Sequence, residues 1–136
     1  MAEKAFKLEI VTPKKLVFSG EVVSFSAPGV VGGFQILSHH APLLAAIGTG
    51  EVKLRDAEGN ERRYATSGGF VDVRMNHVVM LAETVERSED IDAARAEAAR
   101  HRAVQRLSEP ATDLDVDRAR ASIDRAQNRL RIAQKT

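Results

Sequence analysis

The sequence has no cysteine and no tryptophan, and only one tyrosine and five phenylalanines in 136 residues. Without cysteine there is no disulfide and no thiol chemistry. The aromatics are too few and too scattered to build a stacking platform for bases. Net charge is +1, so no bulk field draws nucleic acid in. No apolar run approaches the roughly 20 residues that span a bilayer. The opening MAEKAFKLEI has no signal-peptide apolar core and no Arg/Ser-rich transit character. These absences predict a soluble chain of one domain, or a small domain with an appendage, that stays in the compartment where it is made.

Chemical motifs are missing too. There is no G-x-x-x-x-G-K-[ST] loop, which excludes ATP hydrolysis of the P-loop type. Residues 28–33, PGVVGG, are glycine-rich but lead into a strand, which reads as a tight turn. His39 and His40 are the only adjacent histidines, and no third metal ligand stands near them, so no metal is expected. No Ser/His/Asp set has the strand–turn–helix context of a nucleophile. The chain is not expected to be an enzyme.

Composition divides what is present. All nine glycines lie between Gly20 and Gly69, and 11 alanines lie beyond residue 87. A strand-forming front meets a helix-forming back near residues 87–90. Strands first and helices last predict an α+β chain or two domains, here 1–87 and 88–136.

In the front, residues 6–11 alternate apolar and polar, as a half-buried strand does. Leu16-Val17-Phe18 is a second short strand, with Ser19-Gly20 expected as a turn. Residues 21–27 alternate again, with Val23 and Phe25 on one side. Residues 32–37 lead into Ser38-His39-His40-Ala41-Pro42-Leu43-Leu44. Residues 51–55 and 61–65 flank Glu58-Gly59-Asn60, a hairpin signal. Residues 70–74 and 78–82 flank the turn Met75-Asn76-His77. Eight or more short strands at this spacing predict an antiparallel sandwich or flattened barrel.

The back reads as two helices broken at Pro110, which cannot sit inside a helix without losing a hydrogen bond and clashing with the preceding turn. Ser88 or Asp90 is the expected cap of the first helix, which should end near Ser108. Thr112 and Asp115 have capping-box spacing for the second. Val116, Ala119, Ile123, Ala126, Leu130 and Ala133 recur in steps of three and four, a coiled-coil seam that Ala96, Ala99 and Ala103 match. An antiparallel hairpin with a core of methyl groups should be marginal alone.

Each helix also carries a basic stripe: Arg95, Arg102 and Arg106 on the first, Arg118, Arg125 and Arg129 on the second. Arg102, Arg125 and Arg129 have no acid three or four residues away. Arg102 instead faces Arg106, and Arg125 faces Arg129. Like charges one turn apart cost a few tenths of a kcal/mol. On charge alone this is the solvated face of a helix; an external anion is the alternative that would relieve the cost.

The ordered segments His40-Ala41-Pro42-Leu43-Leu44, then residues 67–73 (SGGFVDV), then residues 89–96 (EDIDAARA) resemble, over the full length, the epsilon subunit of the F-type ATP synthase. The resemblance implies an N-terminal β-sandwich of about ten strands and a C-terminal two-helix hairpin. It implies a non-catalytic rotor subunit of the central stalk that couples proton flow to ATP synthesis. Partners would be the gamma subunit and the c-ring loops, met through His40, Ala41, Pro42, Leu43 and the turn at Gly33. An extended hairpin would reach the alpha and beta subunits of the catalytic head and block ATP hydrolysis. The location implied is the cytoplasmic side of the bacterial inner membrane, peripheral, without direct insertion. Some family members bind ATP through I/L-D-x-x-R-A, here Ile91-Asp92-Ala93-Ala94-Arg95-Ala96. The supporting positions are Glu86, Arg102, Arg125 and Arg129. ATP would be a regulatory ligand, with no cofactor required. In other members Asp92 and Arg95 only cap and brace the hairpin. Family members often read G-E-L-G-I where this chain has Gly32-Gly33-Phe34-Gln35-Ile36. Gly33 therefore replaces the acid and removes its charge from any ring contact, while the turn should survive. The alternative is a helical dimerisation or scaffold module on an unrelated sandwich, binding no nucleotide.

Overall fold

A computed structural model describes residues 4–109 and 112–133. The chain forms two compact units, Met1–Arg87 and Ser88–Thr136. The Pro110 break lies outside the described residues.

The first unit is a two-layer sandwich of ten strands. They are β1 (Phe6–Val11), β2 (Leu16–Val22), β3 (Ser24–Ala27), β4 (Phe34–Ile36), β5 (Leu43–Ile47), β6 (Gly50–Arg55), β7 (Glu61–Thr66), β8 (Gly69–Arg74), β9 (His77–Ala82) and β10 (Val85–Arg87). One sheet runs β2-β1-β9-β8-β5 and the other β10-β7-β6-β3-β4. Neighbours are antiparallel except β1 and β9, which run parallel. Alternation sends Leu8, Ile10, Val71, Val73, Val78 and Met80 inward from the first sheet. Phe25, Ile36, Val52, Leu54 and Tyr64 meet them from the second. Fully burying a side chain of this size stabilises by about 1.5–3 kcal/mol, so this core carries the unit.

One expected turn and one expected strand differ from what the structure shows. Ser19 and Gly20 do not turn: β2 runs through them, paired with Glu9 and Leu8. The strand expected over 21–27 is cut at its start, because the chain changes sheets there. Val22 and Val23 are both buried, which a single alternating strand cannot achieve. Val23 N–H donates to the Arg55 carbonyl at 2.8 Å, already in the second sheet's register. The hairpin at 56–60 is as expected, with Gly59 at φ 87°.

The second unit is a helical hairpin, α1 (Ala93–Leu107) and α2 (Asp113–Ala133), preceded by a 3-10 turn at Ser88–Asp90. Ser88 and Asp90 therefore do not cap α1. The cap is Asp92, extended at φ −83° and ψ 99°, whose carboxylate accepts the Arg95 N–H at 3.0 Å. Residues 88–90 are taken up in their own 3-10 turn, and Asp92 has the extended backbone a cap needs. Ser108 ends α1. At the start of α2 the Thr112 hydroxyl accepts the Asp115 N–H at 3.2 Å and donates to the Asp115 carboxylate at 2.9 Å. No helix among the described residues is long and apolar enough to cross a membrane.

Candidate functional site

The hairpin seam is alanine, as its periodicity requires. Ala96 and Ala103 of α1 and Ala119 and Ala126 of α2 are buried, with Val116, Ile123, Leu130 and Ala133 half-buried. Asn128 and Ile132 are buried as well, on a flank of α2 that the seam does not account for.

The arginines sit at one offset from that seam. Arg95 precedes Ala96, Arg102 precedes Ala103, Arg118 precedes Ala119, and Arg125 precedes Ala126. One residue is about 100° of helix rotation, so each guanidinium stem leaves about 100° from the seam in the same sense. Because the two helices run antiparallel, equal offsets put both stripes on the same flank of the hairpin. Arg95, Arg102 and Arg125 are exposed, and Arg129 is half-buried. Arg125 Nη2 donates to the Ser122 hydroxyl at 3.1 Å, not to an acid. Arg100, on another flank, shows the ordinary alternative. It pairs with Glu97, and this hydrogen bond holds the Glu97 carboxyl below its usual range.

The structure brings Ile91, Asp92, Arg95, Ala96, Arg102, Arg125 and Arg129 into this second unit. Ile91 is half-buried, and its N–H donates to the Ser88 carbonyl at 3.4 Å. Ala96 is wholly buried in the seam, so its methyl faces α2. Glu86 belongs to the first unit, half-buried in β10 and paired with Ala65.

His40, Ala41 and Pro42 form an exposed loop between β4 and β5, and Leu43, half-buried, opens β5. His40 N–H donates to the Leu37 carbonyl at 3.3 Å, and its Nδ1 lies 2.7 Å from the Ala41 carbonyl. Gly33 is exposed after a turn in which Gly32 N–H donates to the Gly29 carbonyl at 3.1 Å; Gly32 has φ 132°. The turn thus persists without the acid.

A further surface was not singled out from the sequence. On the outer face of the β2-β1-β9-β8-β5 sheet, register aligns Val11, Leu81, Phe70 and Ala46 in one row. Leu81 is 54% exposed, Phe70 56% and nearby Leu44 72%. A shallow groove of about 360 Å³ opens beside them, lined also by Val11 and Pro13. An exposed apolar patch on a sheet face is a candidate surface for contact with a protein, a membrane or a ligand. The signal was there: adjacent pairs Phe70-Val71 and Met80-Leu81 must each send one apolar residue outward.

Comparison with known proteins gives concordant matches. The family described as "ATP synthase, Delta/Epsilon chain, beta-sandwich domain" matches residues 5–88, and "ATP synthase, Delta/Epsilon chain, long alpha-helix domain" matches residues 89–134. The ATP synthase epsilon chain of Syntrophobacter fumaroxidans is 44% identical over 136 residues, covering 100% of both chains. That of Desulforamulus reducens is 42% identical over 131 residues, covering 96% of this chain and 98% of its own. A chain in the Euglena gracilis mitochondrial ATP synthase (OSCP/F1/c-ring) superposes with TM-score 0.83 at 16% identity, over 91% of this chain and 78% of that one. A chain of the Tetrahymena thermophila mitochondrial ATP synthase (central stalk/c-ring) gives 0.72 at 13%, over 98% and 99%. At such identities these two likenesses speak for the fold alone.

Proposed function

The chain belongs to the ATP synthase delta/epsilon chain family, and from that premise we propose how it works as the non-catalytic epsilon subunit of the central stalk. The sandwich binds the gamma subunit through the apolar row of Leu81 and Phe70, and meets the c-ring loops through the exposed loop of His40, Ala41 and Pro42. It turns with the rotor and so couples proton flow to ATP synthesis. The complex holds it peripherally on the cytoplasmic side of the bacterial inner membrane. Leu81→Asp should abolish gamma binding without unfolding the sandwich; retained binding would remove that face from consideration.

The hairpin is the regulatory part. Folded, it binds ATP; extended, it reaches the alpha and beta subunits and blocks hydrolysis. The observation that carries this reading is the shared flank of two arginine stripes across an alanine seam. Bringing the stripes together raises repulsion, and a triphosphate between them removes it. Arg offers forked contacts suited to phosphate oxygens. Arg102, Arg125 and Arg129 would hold the phosphates, with Arg95 beside them. Asp92 would accept from the adenine amino group or ribose, and Ile91 would supply apolar contact. Ala96 would contribute through its backbone, since its methyl is enclosed.

Losing one charge-assisted contact costs roughly 1.5–3 kcal/mol, or about ten- to a hundredfold in affinity. Calorimetric titration with ATP should therefore show binding to the intact chain and that loss in Arg125→Ala. No heat at millimolar ATP, or equal affinity in Arg125→Ala and Arg129→Ala, sinks the nucleotide site and leaves Asp92 as a helix cap alone.

A further inference from the structure

Every non-glycine residue with left-handed backbone, among the described residues, belongs to one cluster at an end of the sandwich: His39 (φ 62°), Met75 (φ 49°) and Asn76 (φ 61°). Met75 and Asn76 make the turn between β8 and β9, where positive φ at both positions is the usual geometry of a two-residue hairpin. His39 is in a different segment, and no hairpin asks it to be left-handed. A residue stays in such a region only when its surroundings over-determine it.

Asn76 supplies that constraint. Its Oδ1 accepts the His39 N–H at 2.7 Å, and its Nδ2 donates to the Ala5 carbonyl at 3.1 Å. Its own carbonyl accepts the Lys7 N–H at 3.2 Å. One half-buried side chain thus ties the segment before β1, the β8–β9 turn and the loop after β4. The Ser38 hydroxyl, 2.6 Å from His39 Nδ1, holds the ring on the same loop.

We propose that Asn76 is the positioning residue for the loop of His40, Ala41 and Pro42. By fixing His39 it sets the direction in which the chain leaves β4 and returns at β5. This rests on reading that loop as the contact with the c-ring, and adds the residue that gives it its shape. The chemistry is specific. Aspartate keeps the acceptor for His39 but has no donor for Ala5. Alanine loses both and resists the left-handed turn. Glycine accepts the turn and loses only the two side-chain bonds. A loop already ordered binds without the cost of being ordered on contact.

The test uses the reconstituted synthase in vesicles, measuring protons pumped per ATP hydrolysed, with exchange of the His39 amide in the isolated chain. Asn76→Gly should speed His39 exchange by about tenfold and lower the pumping ratio by roughly twofold or more, with gamma binding intact. Asn76→Asp, which keeps the His39 acceptor, should restore most of the pumping. Ala41→Arg, placed in the loop itself, serves as the control for the contact. Normal pumping in Asn76→Gly with impaired pumping in Ala41→Arg overturns the role of Asn76 and leaves the loop contact standing. Normal pumping in both overturns the contact and the proposal together. If Asn76→Gly fails to fold, Asn76→Ser, whose shorter side chain cannot bridge the His39 N–H and the Ala5 carbonyl, takes its place, and normal pumping there overturns the proposal equally.

Discussion

Single carboxylates fix two corners of the chain. Asp56 Oδ1 accepts the N–H groups of Glu58 at 3.0 Å and Asn60 at 2.9 Å. The Asn60 N–H, above all, holds the Asp56 carboxyl below its usual range. A carboxyl lowered on folding adds stability above its unfolded value, about 3.9, and that stability drains away as pH falls through the lower folded value. Asp56 should therefore titrate below ordinary aspartates when its carboxyl carbon is followed by NMR; titration at or above them would contradict the turn. Asp92 does comparable work at α1. Its role was only partly legible, because Ser88, Asp90 and Asp92 are all good capping types within five residues. What decides among them is backbone conformation, which residue identity does not specify. His39 shows the same limit: nothing in Ser38-His39-His40 announces a left-handed backbone, since its cause lies 37 residues on at Asn76.

At the scale of elements, the helices were legible because their signals are local. Seam periodicity, the Thr112 cap and the stop at Ser108 each depend on neighbours within a turn. The β-sandwich was legible as a class, yet β2 ran through Ser19-Gly20 and β10 was missed. Strand identity depends on partners, and a three-residue edge strand such as Val85–Arg87 exists through its pairing with Tyr64, Ala65 and Thr66. The arginine flank came from two local facts, the stripe and the seam, that needed an antiparallel turn to join them. The seam itself has a consequence. Four buried alanines leave little room and contribute only about 0.8 kcal/mol for each methyl-sized group. Ala126→Leu should overfill it and destabilise the hairpin by roughly 1–3 kcal/mol. Faster amide exchange in α1 and α2, with the sandwich unchanged, is the expected result. Unchanged exchange would mean that the helices do not meet through this seam.

At the scale of the molecule, the two units differ in what holds them. The sandwich encloses large side chains such as Tyr64, Phe25 and Met80, while the hairpin seam encloses methyl groups. On the proposed reading, the firmly packed sandwich is the part that stays on the rotor and the thinly packed hairpin the part that rearranges. A ligand that binds only the folded hairpin stabilises it by mass action, so on the proposed reading ATP should relieve the block on hydrolysis. The most direct measurement compares ATP hydrolysis by the reconstituted complex carrying the full chain with that of one carrying a chain ended at Arg87. Both subunits must first be shown to be bound through gamma. The account predicts a higher rate with the shortened chain at low ATP, and a difference that shrinks as ATP rises. Equal rates at every ATP concentration, with the shortened chain bound, would contradict it.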